Sequence, residues 1–344
     1  MKIKSINIDN FKSLVDFKLV EPNPFSVFVG PNGSGKSNVF EAIEFSNYIY
    51  KYGITALDFF GRNEVFNFKD ISKKIDYEIC HVHFESSKLT IQADSTDIAN
   101  GTSSGYFNFG GRKTHKENQE IARDLTFNSK ERLDEIEQFQ LNFSRIFIQN
   151  QKLRKQNVFS DSSLNIDASN LENVLKRILE NERTKSELIN WLQIFVPEFE
   201  KIEIYISTLS GKSELAVFEK TLLQPLTKNL ISDGTYNILS LLTAVFQFEE
   251  PQFLCIEEPE NGLHPFVIKE LVKFLRTQCE EKGHYIWLNT HSQTLVSQLN
   301  PEEIITVWKE DGATKIKQHQ GEDLYNLTMD EAWLSNALGG GVPW

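Results

Sequence analysis

Hydrophobic positions recur along this chain with two periods, and each change of period marks an element. Ile3, Ile6 and Ile8 lie among Lys and Asn and predict a slightly irregular strand before the turn-forming Asp9-Asn10. Phe17 and Leu19 predict a second strand, which Pro22 and Pro24 break. Phe25-Ser26-Val27-Phe28-Val29 reads as a short buried strand, and Val39, Phe40, Ile43 and Ile49 then follow at helical spacing to about Gly53. Residues 54–75 read as loop-rich. Ile79, Val82 and Phe84, then Leu89, Ile91 and Ala93, alternate around Ser86-Ser87 and predict an antiparallel hairpin. The polar residues 94–105 and the basic run from Gly110 to Lys116 predict loops, residues 117–143 a polar helix, and Ile146-Phe147-Ile148 a strand before a polar loop over 149–170.

Beyond that loop the apolar pattern strengthens. Leu171, Val174, Leu175, Ile178 and Leu179 share one helical face, in a helix expected to run to Phe195 before Pro197. Ile202, Ile204 and Ile206, then Leu215, Val217 and Phe218, predict two strands, and a strongly apolar helix spans about Gly234 to Phe248. Phe253-Leu254-Cys255-Ile256 and Tyr285-Ile286-Trp287-Leu288 read as buried strands on either side of a helix over 265–281. Ile304 to Trp308 and Lys315 to Lys317 pair across Asp311-Gly312. No repeat, heptad, low-complexity tract or abrupt linker appears, so the middle of the chain reads as an insertion into one domain.

Composition narrows the class. With 344 residues, 40% hydrophobic and 12% aromatic, the chain has the apolar content for a sizeable core, built on Phe, Leu and Ile, since there are 26 Phe and only 2 Met. The net charge of −12 argues against a broad non-specific grip on DNA, which needs clustered Lys and Arg. Arg112-Lys113 with Lys116, and Lys152 with Arg154-Lys155, are local basic clusters: either DNA or RNA contacts or solvated faces. Cys80, Cys255 and Cys279 lie far apart, which points away from zinc or a disulfide framework and towards a reducing cytoplasm. No run nears the ~18–20 apolar residues of a membrane span, and the N-terminus lacks the apolar region of a signal peptide.

The most informative stretch is Gly30-Pro31-Asn32-Gly33-Ser34-Gly35-Lys36-Ser37, a full G-x-x-x-x-G-K-S between a buried strand and a helix. Its glycines let successive N–H groups point inward while the following helix presents its positive end. Lys36 is placed for the outer phosphates of a nucleotide and Ser37 for Mg²⁺. The second stretch is Phe253 to Glu260, an apolar strand ending in adjacent carboxylates. Opposite a phosphate loop, Glu257 suits the metal shell and Glu258 suits polarising the attacking water; alone, such a pair is only a solvated strand end. The third is Asn289-Thr290-His291-Ser292, which puts His291 at a strand's C-terminal end, where ligands bind in parallel sheets; a surface or capping histidine is the plainer reading. The fourth is Leu230-Ile231-Ser232-Asp233-Gly234-Thr235, where Ser232 or Asp233 either caps a helix or offers a second phosphate-facing N-terminus.

In this order the elements resemble the ABC-type ATPases of the RecF/SMC group, most closely the small ATPases related to the ATPase domains of overcoming-lysogenisation nucleases. Ile6 to Ser13 resembles the group's opening strand and turn. Glu257-Glu258-Pro259-Glu260-Asn261-Gly262-Leu263-His264-Pro265 resembles Walker B running into the D-loop, Ser232-Asp233-Gly234-Thr235 a variant ABC signature, and His291 the switch histidine. The likeness covers the first ~50 residues and about 225–310, the intervening lobe only loosely. It implies an α/β ABC-ATPase head: a mixed sheet around the P-loop, an antiparallel β subdomain and a helical lobe. The chain is then a single domain, with an N-terminal lobe over 1–110, an inserted lobe over 111–230, a C-terminal lobe over 231–320 and a tail over 321–344. It further implies ATP and Mg²⁺ bound by Asn32 to Asn38, with Lys36, Glu258 and His291 in catalysis and Ser37 and Glu257 on the metal. A Q-loop glutamine is expected on the metal and nucleotide; Gln149 fits, with an ordinary polar strand end as the alternative.

The resemblance also implies a head-to-tail homodimer, each ATP lying between one subunit's loop and the other's Ser232, Asp233 and Gly234. The implied role is sensing or gating in anti-phage defence or DNA repair, without a membrane and with a separate effector such as a nuclease, since nothing after residue 320 resembles an acidic nuclease cluster. Asp233 departs from the glycine of transporter-type signatures, and the long coiled coil of SMC proteins is missing. A nucleotide-gated scaffold with negligible turnover and a transporter ATPase subunit are the competing readings. The apolar C-terminus from Trp333 to Trp344 is either a docking peptide or a tail folded onto its own domain.

Overall fold

A computed structural model describes residues 3–52, 59–60, 75–81, 87–93, 103–109, 112–114, 142–148, 162–208, 211–321 and 327–339. The chain divides into two compact units, Met1–Phe143 with Asn300–Trp344, and Ser144–Leu299.

The first unit carries an antiparallel sheet in the order β2-β1-β4-β5-β6-β7, formed by β1 (Ile3–Asp9), β2 (Phe17–Val20), β4 (Ile75–His81), β5 (Ser87–Ala93), β6 (Ser103–Phe109) and β7 (Arg112–Thr114). The irregular spacing of Ile3, Ile6 and Ile8 has a structural answer. The β1–β4 register shifts between Ile3 and Ser5. One extra residue there keeps all three isoleucines inward, none more than 1% exposed. The expected hairpin of β4 and β5 forms, with Ile75 opposite Ile91 and Tyr77 opposite Leu89.

Two loop expectations are corrected. Residues 103–105 open β6 and Arg112–Thr114 form β7. The aromatic run Tyr106, Phe107 and Phe109 favours a pleated surface over the polar flanks that suggested loops. The expected helix over 117–143 falls outside the described residues except at its end, where Asn142 is a turn and Phe143 opens a strand; Lys116, the cluster at 152–155 and Gln149 also lie outside them.

The same unit holds a mixed sheet. The fully buried β3 (Phe25–Val29) runs parallel to β14 (Ile304–Glu310), with Val27 opposite Ile304 and Val29 opposite Thr306. β14 then turns into the antiparallel β15 (Ala313–Gln318). Asp311 and Gly312 both have positive φ, 49° and 78°, as a two-residue hairpin turn with the strands' own twist demands. α1 (Lys36–Tyr52) follows β3, and Phe28 and Phe40 meet edge to face with centroids 5.4 Å apart. The tail folds onto this unit through residue 338: Trp333 and Leu338 are buried, and Lys317 Nζ donates to Leu338 O at 3.1 Å.

At the start of the second unit β8 (Phe143–Ile146) shares only Ile146 with the expected strand and ends two residues before Ile148, because the Phe147 N–H donates to Ile166 O at 2.6 Å. The expected single helix over 171–195 is two, α2 (Leu171–Leu179) and α3 (Glu182–Phe195). Asn181 breaks it: in extended backbone, its side chain accepts from the Arg183 and Thr184 N–H groups and starts a new helix. β9 (Phe199–Ile206), β10 (Ser213–Glu219) and β11 (Leu226–Thr227) form an antiparallel sheet. α4 (Asp233–Phe246) is buried from Asn237 onward. β12 (Phe253–Glu257) and β13 (Tyr285–Thr290) pair in parallel across α5 (Pro265–Lys282), and the short α6 (Gln293–Val296) follows. Trp191, Phe195, Phe246 and Phe274 cluster between α3, α4 and α5, with the Trp191 and Phe274 centroids 4.7 Å apart.

His284, just before β13, is buried, and its Nδ1 accepts from the Gln252 N–H at 3.2 Å. Burial, helped by the charge of Lys282, lowers its pKa to about 4. The unfolded chain binds this proton near pH 6.5, so the stabilisation is complete above that pH and fades as the pH falls toward 4. The urea midpoint is therefore expected to fall in that window, by an amount of order 2 kcal/mol at pH 5. His284→Asn should remove this component, leaving the carboxylates' share; an unchanged difference between pH 7 and pH 5 would refute it.

Candidate functional site

The glycine-rich loop is built by steric demand. Gly33 and Gly35 have φ of 75° and 102°, in the region where side chains are strained. A Cβ on Gly35 would lie 2.0 Å from Thr314 Oγ1, and one on Gly30 2.0 Å from the Val307 carbonyl oxygen. The Ser34 N–H closes on Pro31 O at 3.2 Å, and the Asn38 and Val39 N–H groups turn back to Gly35 O. Lys36, 6% exposed, donates from Nζ to Gly30 O at 2.8 Å and Pro31 O at 3.0 Å, so its ammonium sits inside the curl. Ser34 Oγ is buried with no hydrogen-bond partner, an orphan that a phosphate oxygen would satisfy. Asn32 and Gly33 are exposed, and Ser37 and Asn38 are half-buried.

Sequence reasoning missed what supports this loop. Thr314, on β15, donates from Oγ1 to Ser34 O at 2.9 Å and lies 2.7 Å from Ser13 Oγ, while the Thr314 N–H donates to Ser13 O at 2.7 Å. Asn38 directs its Nδ2 at Ser13 Oγ, 2.7 Å away. The start of α1 is thus tied to the turn after β1. Thr314 carries no local motif and its role could not have been found from spacing.

The carboxylate half lies in the second unit. Glu257 closes β12 at 4% exposure. Arg145 of β8, 5% exposed, directs two guanidinium donors at Oε1, with Nε at 2.7 Å and Nη2 in ion-pair contact. Asn289 Nδ2 donates to Oε2 at 3.1 Å. Glu258 has φ of 48°, left-handed for a non-glycine residue, and its Oε2 accepts from Asn261 Nδ2 at 2.9 Å. Neither Arg145 nor Asn289 is visible as a site residue in sequence; a buried arginine opposite a buried acid becomes a pair only when β8 and β12 are placed.

The turn that follows is tied to both neighbours. Asn237 of α4 donates from Nδ2 to Pro259 O at 3.1 Å and to Asn261 O at 2.7 Å, and a Cβ on Gly234 would lie 2.7 Å from Gly262 O. Ser232 caps α4, accepting from the Thr235 N–H at 3.0 Å, and Ser232 and Asp233 are exposed. The structural reading of this serine thus holds, and the signature segment packs directly on residues 259–262. Glu260 Oε1 accepts from Thr290 Oγ1 at 2.5 Å and from the His291 N–H at 3.2 Å. Burial raises the Glu260 pKa, against these hydrogen bonds, which lower it. His291 is exposed, directly after β13.

Among the described residues no group of three or more His, Cys, Asp or Glu side chains makes a metal site. The Ser37 hydroxyl in the first unit and the Glu257 carboxylate in the second are each hard oxygens of the kind Mg²⁺ takes beside phosphate oxygens. No helix among the described residues is long and apolar enough to cross a membrane.

Comparison with known proteins agrees with this architecture. The ATP/GTP phosphatase of Helicobacter pylori is 22% identical over 331 residues, covering 87% of each chain. An SMC head bound to the C-winged helix domain of ScpA matches with a TM-score of 0.60 at 16% identity, covering 95% of this chain and 100% of that one. The SMC head with an extended coiled coil bound to the C-terminal domain of ScpA, from Pyrococcus furiosus, gives 0.58 at 14%, covering 98% and 99%. At such identities these structures establish the fold, an α/β ABC-ATPase head. The family described as "AAA domain, putative AbiEii toxin, Type IV TA system" matches residues 25–297. The chain therefore belongs to this AAA-domain family, with the α/β fold of an ABC-ATPase head.

Proposed function

We propose that this chain binds MgATP and hydrolyses it with water to ADP and phosphate, and that binding closes a head-to-tail homodimer that gates a separate effector. The observation that carries the reading is the loop over residues 30–37, where an enclosed ammonium, inward-curling backbone and an orphaned Ser34 hydroxyl make a polyanion site. Lys36 neutralises the phosphates, and main-chain N–H groups from Asn32 to Asn38 hold them. Ser37 and Glu257 would hold Mg²⁺, which would supply Lewis-acid polarisation of the phosphate oxygens, and by the resemblance Gln149 would be a further ligand. Glu258 orients the attacking water and accepts its proton, and His291 contacts the terminal phosphate. The exposed Ser232 and Asp233, with the half-buried Gly234, cover the nucleotide of the other copy.

The biological setting we favour is anti-phage defence or DNA repair in the cytoplasm. The description of the family as a toxin of a toxin–antitoxin system supports a defence role. The SMC heads bound to ScpA support a separate protein partner, and the H. pylori relative's name supports turnover. DNA, RNA and a nuclease effector are candidate partners to test, on the basic clusters and the resemblance alone.

The test is steady-state phosphate release by the purified chain, with and without DNA, beside Glu258→Gln. Loss of the base is expected to slow hydrolysis about a hundredfold or more, while ATP still binds and a closed dimer accumulates on sizing. Undiminished release from Glu258→Gln would reject the assignment. A wild-type chain that binds ATP without releasing phosphate would instead establish the scaffold reading.

A further inference from the structure

We propose that Asn289 is a positioning residue for hydrolysis, one side chain that sets both acids at the end of β12. The proposal rests on Glu258 being the water-orienting acid. Asn289 stands opposite Glu257 in the parallel ladder and is 3% exposed. Its Nδ2 donates to Glu257 Oε2 at 3.1 Å, and its Oδ1 accepts from the Glu258 N–H at 3.2 Å. That same N–H also donates to the Asn289 main-chain oxygen at 3.0 Å. One amide therefore grips the carboxylate of the first acid and the backbone of the second.

The grip matters because of where the chain turns. A left-handed backbone at a residue with a Cβ persists only where its surroundings over-determine it. At Glu258, with φ of 48°, the bifurcated bond to Asn289 supplies that determination from one side. Asn261 holds the Glu258 carboxylate from the other, at 2.9 Å. With the Asn289 side chain gone, the N–H keeps its main-chain acceptor, so the turn survives. The Glu258 carboxylate then samples a wider arc, and Glu257 loses the donor that orients Oε2. Only an amide serves both sides. A carboxylate keeps the acceptor but sets a second negative charge against Glu257.

The experiment compares Asn289→Asp, which preserves shape, with Asn289→Ala. Single-turnover and steady-state phosphate release, binding of a fluorescent ATP analogue and thermal midpoints are measured for each. Both variants should remain folded, bind nucleotide within about twofold of wild type and lose about tenfold or more in kcat, the scale of a misplaced catalytic hydrogen bond. Combined with Glu258→Gln, either substitution should cost clearly less than it does alone, since the part of its effect that runs through Glu258 is already lost.

Wild-type kcat in folded Asn289→Ala would overturn the proposal. So would a raised KM at unchanged kcat, an additive loss in the Glu258→Gln background, or unfolding of both variants, which would mark a role in stability alone. Wild-type turnover by Glu258→Gln itself would instead sink the underlying assignment of the acid, which keeps the two failures distinct.

Discussion

Gly35→Ala is expected to abolish nucleotide binding. The new Cβ would fall 2.0 Å from Thr314 Oγ1, 2.9 Å from Ser13 Oγ and 3.1 Å from Thr314 Cβ. Thr314 cannot swing aside without giving up its bonds to Ser34 O and Ser13. The residue must also hold φ at 102°, a conformation that costs a residue with a side chain roughly 1–3 kcal/mol. Relief comes most cheaply by moving the loop, which turns its N–H groups away from the centre that Lys36 occupies. A loss of affinity above about a hundredfold follows from that strain and the missing donors together. It is read by titrating a fluorescent ATP analogue. Adding Thr314→Ala removes the 2.0 Å overlap but leaves the 2.9 Å approach to Ser13 Oγ and the backbone strain, so binding should stay weak. Saturable binding by Gly35→Ala within about tenfold of wild type would show that the loop does not hold the phosphates.

Arg145→Ala should produce the largest loss of stability. Glu257 would be left as a buried carboxylate with Asn289 Nδ2 as its remaining described hydrogen-bond donor. Stranding one member of a buried ion pair typically costs about 3–5 kcal/mol, a large share of the stability of a domain. Urea denaturation would register this as a lower midpoint. Replacing both partners, Arg145→Met with Glu257→Leu, should recover most of the midpoint, because an apolar pair of similar volume removes the desolvation cost. Hydrolysis should not recover, since the metal-facing carboxylate is gone. If the double variant hydrolyses ATP at the wild-type rate, Glu257 has no place in the metal shell. If Arg145→Ala keeps the wild-type midpoint, the ion pair does not hold β8 to β12.

Much of the candidate site could be proposed from the chain because its stretches are local. A phosphate loop is a run of glycines whose φ values permit one curl, so its spacing carries its geometry. An acid pair at the end of an apolar strand is likewise visible, as is the Asp311-Gly312 turn with two positive φ values. The helix break at Asn181 was legible in principle, since an asparagine before Glu182 is a cap signal. The continuous apolar face of Leu171 to Leu179 outweighed it. The strands β6 and β7 failed for the opposite reason: polar flanks outweighed the aromatic run Tyr106, Phe107 and Phe109, and β7 is a strand through its pairing with β6.

What the sequence determined by itself, then, is the family resemblance, the fold class and the order of the glycine-rich loop, the Ser232-capped helix and the acid pair at a strand end, because each depends on residues within one turn or strand of one another. Tertiary structure alone decided that Thr314 and Ser13 brace the loop from opposite ends of the chain, that Arg145 neutralises Glu257, and that Asn289 reads both acids at once. These contacts join positions far apart in sequence, and only the packing of strands brings their side chains within hydrogen-bond reach.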